Sequence, residues 1–260
     1  QRKEIAEMLT SRAIQPLAEK VETHEEYQAA CAVGYQYFQG YFFGRPHIHA
    51  SHSVDANKLS LMRLLEAVQR PGAGIDDLEQ VIRSDVGLTY KLLRFINSAW
   101  FGLRHQVGTV RHALSWLGAK ETRKWVSMVT LRGLGEDSPS ELLVQALTRA
   151  RLGELLAEQA GLRREGSDLF LVGLLSVLDA LLDMPMEEIV EQVPVNDDVR
   201  NALLGRDGRL SDLYRTLIAF EQGDWATFSA AAAKVPIEEG LVPTAYREAV
   251  EWAESVLAST

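Results

Sequence analysis

The sequence has almost no cysteine, since Cys31 is the only one among 260 residues. A chain with one thiol cannot build an internal disulfide framework, so we expect a reducing, cytoplasmic compartment. Long apolar runs are missing as well: the longest uncharged one covers ten residues, Leu169 to Leu178, whereas a membrane helix needs about 20. No signal-peptide pattern is present at the charged start Gln1-Arg2-Lys3-Glu4. The absence of an initiator methionine leads us to expect a piece of a longer protein.

Motifs for catalysis are also absent. We find no glycine-rich phosphate loop, no nucleophile elbow and no Cys-x-x-Cys pair. His47, His49 and His52 are close enough in sequence to share a metal ion. No carboxylate or thiolate lies in that run, so we interpret it as part of a polar linker over residues 47–57. From the residues alone we expect no cofactor and no metal site.

Charge is unevenly distributed along the chain. The net charge of −9 argues against a general binder of nucleic acid or anionic membranes. Residues 51–134 carry 12 basic and 7 acidic side chains, whereas residues 135–260 carry 10 and 23. We interpret the basic middle as a surface complementary to the acidic C-terminal part or to a partner protein.

The first 50 residues have a mixed α/β pattern. Glu25–Val33 has a helical pattern that ends at Gly34, and the aromatic stretch Tyr35–Phe43 is typical of a strand. A short apolar stretch with Pro16 precedes that helix, as in α/β units. Two strands cannot form a stable sheet alone, so this segment needs a partner surface, either the helical part or another copy of the chain.

After the linker the apolar period is helical throughout, which predicts one all-α domain over residues 54–260. Asp85 and Thr109 are candidate N-caps, and the group Asn196, Asp197 and Asp198 is interpreted as a helix cap. Gly118 is a candidate helix stop. Pro139 predicts the start of a long helix, Ser140–Gln159. The stretch Asp168–Leu182 is apolar on nearly all sides and is predicted to be one buried central helix.

Three further clusters of charge have structural interpretations. Asp76, Asp77 and Glu79 stand at a helix start and complement its dipole. The segment Asp77–Phe95, with Gly87 in the turn, is faintly like a helix-turn-helix. A DNA-reading helix needs free side chains, and leucines crowd the second helix here, so we do not favour nucleic-acid binding. The basic residues of the middle part are Arg83, Lys91, Arg94, Arg104, Arg111, Lys120, Arg123 and Lys124.

The N-terminal segment resembles the C-terminal end of EAL domains, which are barrel-shaped cyclic di-GMP phosphodiesterases. The motif Ala18-Glu19-Lys20-Val21-Glu22-Thr23 is followed by Gln39-Gly40-Tyr41 and ends at Pro46, with Lys20 where the family usually has glycine. The resemblance implies that Glu19, Glu22 and Gln39 are remnants of a catalytic site. The Glu-Ala-Leu signature and the metal-binding aspartates of that family are absent, so we expect no hydrolysis by these residues alone.

The longer segment over residues 58–257 resembles HDOD domains, helical relatives of HD metallo-phosphohydrolases. The resemblance rests on Ile82-Arg83-Ser84-Asp85-Val86-Gly87-Leu88, on Lys91–Ala99 and on Val110–Leu114 running into Leu117-Gly118. In active relatives a His-Asp pair on the central helix binds metal. The resemblance implies that Ser176 and Val177 occupy those positions here, and neither side chain can replace those ligands.

Together these features predict a mainly α protein: an HD-like multi-helix domain over residues 54–260, preceded by a barrel fragment over residues 1–50. We expect a non-catalytic signal-transduction module with protein partners, a possible homodimer, coupled to cyclic di-GMP through the missing part of the barrel. The first alternative is an active cyclic di-GMP phosphodiesterase whose catalytic residues lie upstream. A hidden phosphohydrolase site in the helical part and DNA binding are the remaining alternatives.

Overall fold

A computed structural model describes residues 8–9, 14–15, 17–21, 24–39, 56–70, 72–97, 106–136, 138–208 and 210–259. Its contacts divide the chain into two compact units, Gln1–His47 and Ile48–Thr260. The predicted linker with its three histidines lies outside the described residues, apart from its last two positions. Those two, Ala56 and Asn57, belong to a helix, so the polar stretch gives way to helix slightly earlier than expected.

The first unit contains a strand, a helix and a second strand: β1 (Leu17–Glu19), α1 (His24–Ala32) and β2 (Tyr37–Gln39). The two strands pair in parallel, with Leu17 opposite Tyr37, and a parallel pair requires such a crossover. The predicted helix and its stop at Gly34, where φ is +93°, are confirmed. The predicted strand over 35–43 is observed at Tyr37–Gln39, and its last four positions lie outside the described residues.

The helix α1 carries the free thiol of Cys31, which is exposed. Tyr27, one turn earlier, packs its ring on Phe38 of β2 with a centroid distance of 4.8 Å. A hydrogen bond with Cys31 and the charge of its thiolate raise the pKa of Tyr27. The helix and the second strand are therefore joined by an aromatic contact next to the thiol.

The regular secondary structure described in the second unit is entirely helical, which confirms the mainly α prediction. Its helices are α2 (Ala56–Gln69), α3 (Ile75–Arg83), α4 (Val86–Ile96), α5 (Val110–Leu134), α6 (Ser140–Gln159), α7 (Gly166–Leu175), α8 (Leu178–Leu182), α9 (Met186–Gln192), α10 (Asp197–Leu203), α11 (Ser211–Gln222), α12 (Trp225–Ala232) and α13 (Val242–Ser259), with a 3₁₀ turn at Glu239–Leu241.

Side-chain caps fix several of these helix ends as predicted. Asp85 Oδ1 accepts a hydrogen bond from the Leu88 N–H at 3.0 Å, and Thr109 Oγ1 accepts from the His112 N–H at 3.2 Å. Asn196 Oδ1 caps α10 in the same way. Gly118 interrupts α5 with φ 73° and ψ 166°, a conformation that is essentially confined to glycine. The predicted helix stop at Gly118 is therefore a kink between two helical segments.

Three apolar clusters form the interior of the second unit, and each draws its buried residues from several helices. The first joins α2 to α5, the second joins α2 and α13 with α5 to α9, and the third joins α6, α7 and α10 to α13. Burying aliphatic side chains of this size contributes about 1.5–3 kcal/mol each. Fully buried members of the three clusters are, in that order, Leu78 and Leu92, Leu134 and Leu174, and Leu152 and Leu156.

Among the described residues, no single helix combines the length and apolar composition of a membrane span. The stretches Gly166–Leu182 and Met186–Gln192 meet those criteria only together, as a pair bent by 115°.

Candidate functional site

The helices α6 and α7 approach each other closely because glycines replace side chains between them. A Cβ on Gly173 would lie 2.3 Å from the backbone nitrogen of Ala150, and one on Gly153 would lie 3.0 Å from the Leu169 carbonyl oxygen. Both glycines are interior helix positions, where glycine costs about 0.5–1 kcal/mol relative to alanine. The two backbones can therefore approach this closely only with glycine at both positions, although glycine by itself makes each helix less stable.

The prediction of a single helix over Asp168–Leu182 is wrong, because the helix is interrupted between α7 and α8. We call this interruption the break. Ser176 and Val177 lie at the break, where Val177 has φ −114° and ψ 5°. The Ser176 hydroxyl donates a hydrogen bond to the Gly173 carbonyl oxygen at 2.7 Å. A serine hydroxyl offers the backbone carbonyl an alternative to the regular helical hydrogen bond, and a β-branched valine follows it. The break thus lies at the two positions where the HDOD resemblance implies the metal-binding His-Asp pair of active HD proteins.

A buried ion pair faces this break. Arg149 of α6 donates two hydrogen bonds to the carboxylate of Glu221 on α11, at 2.7 and 2.9 Å. The Arg149 and Glu221 side chains are only 13% and 12% exposed. Arg149 also donates to Ser176 Oγ at 3.1 Å, and Gln145 donates to Glu221. With Tyr214, which hydrogen-bonds Ser176, these residues form what we call the Arg149 cluster: Gln145, Arg149, Ser176, Tyr214 and Glu221.

The electrostatics of the Arg149 cluster are balanced internally. Burial disfavours the charged form of Arg149, but the hydrogen bonds and charge of Glu221 outweigh it, so its pKa is raised. Burial raises the pKa of Tyr214, although Arg149 and Ser176 act in the opposite direction. Asp179, at the start of α8, also has a pKa raised by burial, which its backbone hydrogen bonds only partly offset. The guanidinium thus remains charged inside the protein.

The polar groups of this arrangement are engaged with one another. The Ser176 hydroxyl donates to a backbone carbonyl and accepts from a guanidinium, so its proton is not directed at a base in the described part of the chain. In the described part of the chain, no three His, Cys, Asp or Glu side chains lie close enough to share a metal ion. The Glu221 carboxylate that faces the break is already neutralised by Arg149. A second cation beside it would meet like charge.

The residues expected from the EAL resemblance are only partly described. Glu19 is the exposed last residue of β1, and its Cα pairs in register with that of Gln39 in β2. Glu22 lies outside the described residues. The structure therefore brings two of the three positions to the same end of the parallel pair, and their role stays a prediction.

Two basic residues of the middle part, Arg83 and Arg111, pair with carboxylates of that same part. Arg111 contacts Asp76 and, at 2.6 Å, Glu79, so those carboxylates do more than complement a helix dipole. Lys124 pairs both with nearby Glu121, at 3.3 Å, and with Glu154 of α6, while lying 4.9 Å above the Phe170 ring. A wider role of this charge as an interaction surface stays a prediction.

Sequence reasoning missed the Arg149–Glu221 pair. Arg149 lies on the same face of α6 as Leu142, Ala146 and Gly153, which are buried. A basic residue at the core spacing of an amphipathic helix signals a buried ion pair. Its partner lies 72 residues away, and no local pattern identifies it.

Comparison with known proteins gives two curated relatives. The chain is 32% identical over 260 residues to the uncharacterized protein YuxH of Bacillus subtilis, covering 99% of this chain and 63% of that protein. It is 34% identical over 240 residues to the cyclic di-GMP phosphodiesterase CdgJ of Vibrio cholerae, covering 92% of this chain and 56% of that protein. The chain thus spans less than two thirds of the length of either relative.

A solved HDOD domain protein of unknown function from Geobacter sulfurreducens covers 79% of this chain and 73% of its own, at 17% identity and a TM-score of 0.41. The family model of the HDOD domain matches residues 58–194, more than half of the sequence. That stretch runs from α2 through α9 and contains the break at Ser176 with its Arg149 contact. The chain belongs to the HDOD family.

Proposed function

We propose that the helical unit is a non-catalytic regulatory module, coupled in a longer protein to a cyclic di-GMP-related EAL domain. The observation that carries the proposal is the Arg149 cluster at the break between α7 and α8. Its polar groups are engaged with one another rather than directed at a ligand. The module would act through its surface on protein partners, with a homodimer as one arrangement.

The chemistry of the cluster supports the absence of hydrolysis. If Ser176 and Val177 stand where active HD proteins place their His-Asp pair, the nearest charged group is a guanidinium, 3.1 Å from Ser176 Oγ. At an effective dielectric constant of 20, two unit charges about 4 Å apart interact by about 4 kcal/mol, and the repulsion doubles for a divalent ion. A metal at this place would therefore need Arg149 to leave its buried partner.

Purified chain provides the direct test. We expect substoichiometric iron, manganese and zinc by elemental analysis, and no hydrolysis of bis(p-nitrophenyl) phosphate after these metals are added. One equivalent of bound iron or manganese per chain, together with hydrolysis, would contradict the proposal. The matched comparison is Glu221→Gln, which removes the partner of Arg149 without creating a ligand set, and is also expected to bind no metal.

The coupling to cyclic di-GMP has separate support. The first unit pairs β1 and β2 in parallel around a crossover helix, as an α/β barrel requires, with Glu19 and Gln39 opposite each other. One relative is named a cyclic di-GMP phosphodiesterase, and this chain covers about half of it. The same name favours the alternative that the longer protein hydrolyses cyclic di-GMP and the helical unit tunes that reaction.

Hydrogen exchange on the longer protein separates coupling from mere coexistence. We expect cyclic di-GMP, but not GMP, to change amide exchange in α5 and α6. Glu19→Gln should reduce that response, whereas Glu25→Gln, an exposed change on α1, should leave it intact. Identical amide exchange with and without cyclic di-GMP would contradict the proposed coupling. Turnover of cyclic di-GMP measured on the same samples distinguishes the regulatory from the catalytic alternative.

A further inference from the structure

The helices α4 and α13 border the same apolar pocket of the second unit. The walls of this pocket also include residues of α5 and α6. Its apolar lining contains Phe95 of α4, Val129 of α5, Leu143 of α6 and Val256 of α13. Residues from α4 and from the C-terminal end of α13 are therefore neighbours around one pocket, although about 160 positions separate them in the sequence.

The α4 side of this pocket is basic. Lys91 and Arg94 belong to its lining, and both are exposed. Tyr90, which is 65% exposed, stands one turn before Arg94 on the same face of α4. Among the described residues, neither cation has a carboxylate partner. An exposed tyrosine beside an unpaired arginine is typical of residues that anchor protein interfaces.

The α13 side of the pocket is acidic. Glu251 and Glu254 are exposed neighbours on this helix, and Glu254 stands three residues before Leu257, which lines the pocket. Glu248, one turn earlier, pairs with Arg151 at 2.8 Å. In the described part of the chain, Glu251 and Glu254 have no such partner. Two cations and two carboxylates thus border one pocket without pairing with each other.

We infer that this patch, formed by Tyr90, Lys91, Arg94, Glu251 and Glu254 around the pocket, is the docking surface for a second copy of the chain. A two-fold axis through the patch places α4 of each copy against α13 of its partner, so that basic and acidic sides meet twice. The apolar pocket walls lie at the centre of such an interface and the charges at its rim. A partner of one charge sign would use half of the patch, whereas a second copy uses all of it.

The inference assigns a surface to the homodimer of the proposed regulatory module and rests on that proposal for its biological role alone. Self-association is measured without metal, nucleotide or turnover. A monomeric chain would therefore leave the proposed absence of hydrolysis untouched, and hydrolysis by the chain would leave the dimer surface untouched.

Sedimentation equilibrium of the 260-residue chain tests whether the copies associate. We expect a monomer–dimer equilibrium that stops at two copies, because a reciprocal contact leaves no binding surface free. Salt at about 0.5 M should weaken the dimer, since it screens charges at the rim of an interface. A chain that stays monomeric up to about 1 mM, or assemblies that keep growing with concentration, would overturn the inference.

Charge reversal tests which surface the copies use. The double variant Lys91→Glu/Arg94→Glu changes exposed side chains and makes both sides of the patch acidic, so dimerisation should weaken about tenfold or more. Glu251→Lys/Glu254→Lys makes both sides basic and should have the same effect. An equimolar mixture of the two double variants should dimerise again, because opposite charges then face each other at both contacts.

The matched control is Arg163→Glu/Arg164→Glu. It changes the net charge by the same amount as the reversal on α4, at two exposed residues that do not line the pocket. This control should dimerise like the original chain. Double variants of the patch that dimerise as tightly as the control, or a mixture that fails to recover dimerisation, would refute the reciprocal contact.

Discussion

Single atoms decide how closely α6 and α7 pack. The backbone of Ala150 occupies the place where a side chain at Gly173 would begin, and backbone atoms cannot move aside as a flexible side chain can. The same helix holds Gly166, whose nearest potential contact, the Ala157 Cβ, is an ordinary 3.7 Å away. The two glycines of α7 thus differ in the space available to a methyl group, although both lie in helix.

We expect Gly173→Ala to lower the free energy of unfolding by about 2–4 kcal/mol, because the helices must separate to admit the methyl group. Gly166→Ala should be neutral or slightly stabilising, since alanine favours helix. Urea unfolding monitored by circular dichroism measures both. Equal stability of the two variants would show that α6 and α7 can separate without cost.

The Arg149–Glu221 pair makes a second residue-scale prediction. Glu221→Gln leaves a buried guanidinium without its counter-charge and should cost about 3–5 kcal/mol. The double variant Arg149→Met/Glu221→Leu removes both charges and should recover most of that loss. Arg163→Gln is the control, because its pair with Glu158 is 78% and 56% exposed and worth about 0–1 kcal/mol. A double variant no more stable than Glu221→Gln would contradict a pure charge effect.

Asp179 should make stability depend on pH. Burial raises its pKa, so the native protein binds this proton up to a higher pH than the unfolded chain. The free energy of unfolding that this group contributes is therefore lost as pH rises through the native pKa. Asp179→Asn should be more stable than the original chain at pH 7, and the difference should shrink toward pH 4. Exposed Glu188→Gln should show no such trend in thermal melts at both pH values.

Helix ends were the features best predicted from the sequence, because capping chemistry is local. Asp85, Thr109 and Asn196 each satisfy an amide three residues ahead, which neighbouring residues suffice to specify. The break at Ser176 and Val177 could not be predicted, since the surrounding residues are apolar and their composition favours continuous helix. The polar neighbours that accommodate the break come from α6 and α11, distant in sequence.

The kink in α5 is an element-scale test of backbone conformation. At φ 73° and ψ 166°, Gly118 occupies a region that side chains disfavour. Gly118→Ala should cost about 1–3 kcal/mol, although nothing lies within 4 Å of the added carbon. Gly108→Ala has equal space without a positive φ and should cost less. A Gly118 variant as stable as the Gly108 variant would indicate that α5 can straighten.

At the scale of the whole molecule, the helical unit contains its own interior. All three apolar clusters use residues from Leu61 onward. A unit with its own core is expected to fold alone. The spacing of apolar residues predicted this helical composition. It did not predict which helices share each cluster, because those contacts join residues that are distant in sequence.

We therefore expect a chain of residues 54–260 to unfold cooperatively. Its thermal midpoint should lie within about 5 °C of that of the 260-residue chain, which corresponds to a difference of about 1–2 kcal/mol in the free energy of unfolding. Differential scanning calorimetry of both chains makes the comparison. A much larger drop, or loss of cooperativity, would show that the three clusters need residues 1–53.

The exposed thiol of Cys31 gives the chain one chemical handle in its first unit, and the sequence holds no second cysteine. A maleimide dye would attach once per molecule without any engineering of the protein. The efficiency of energy transfer from the tryptophans of the second unit to a coumarin at Cys31 would then depend on the distance between the two units. In a longer protein whose other cysteines, if any, are replaced, a change in this energy transfer during cyclic di-GMP titration would measure the proposed coupling directly.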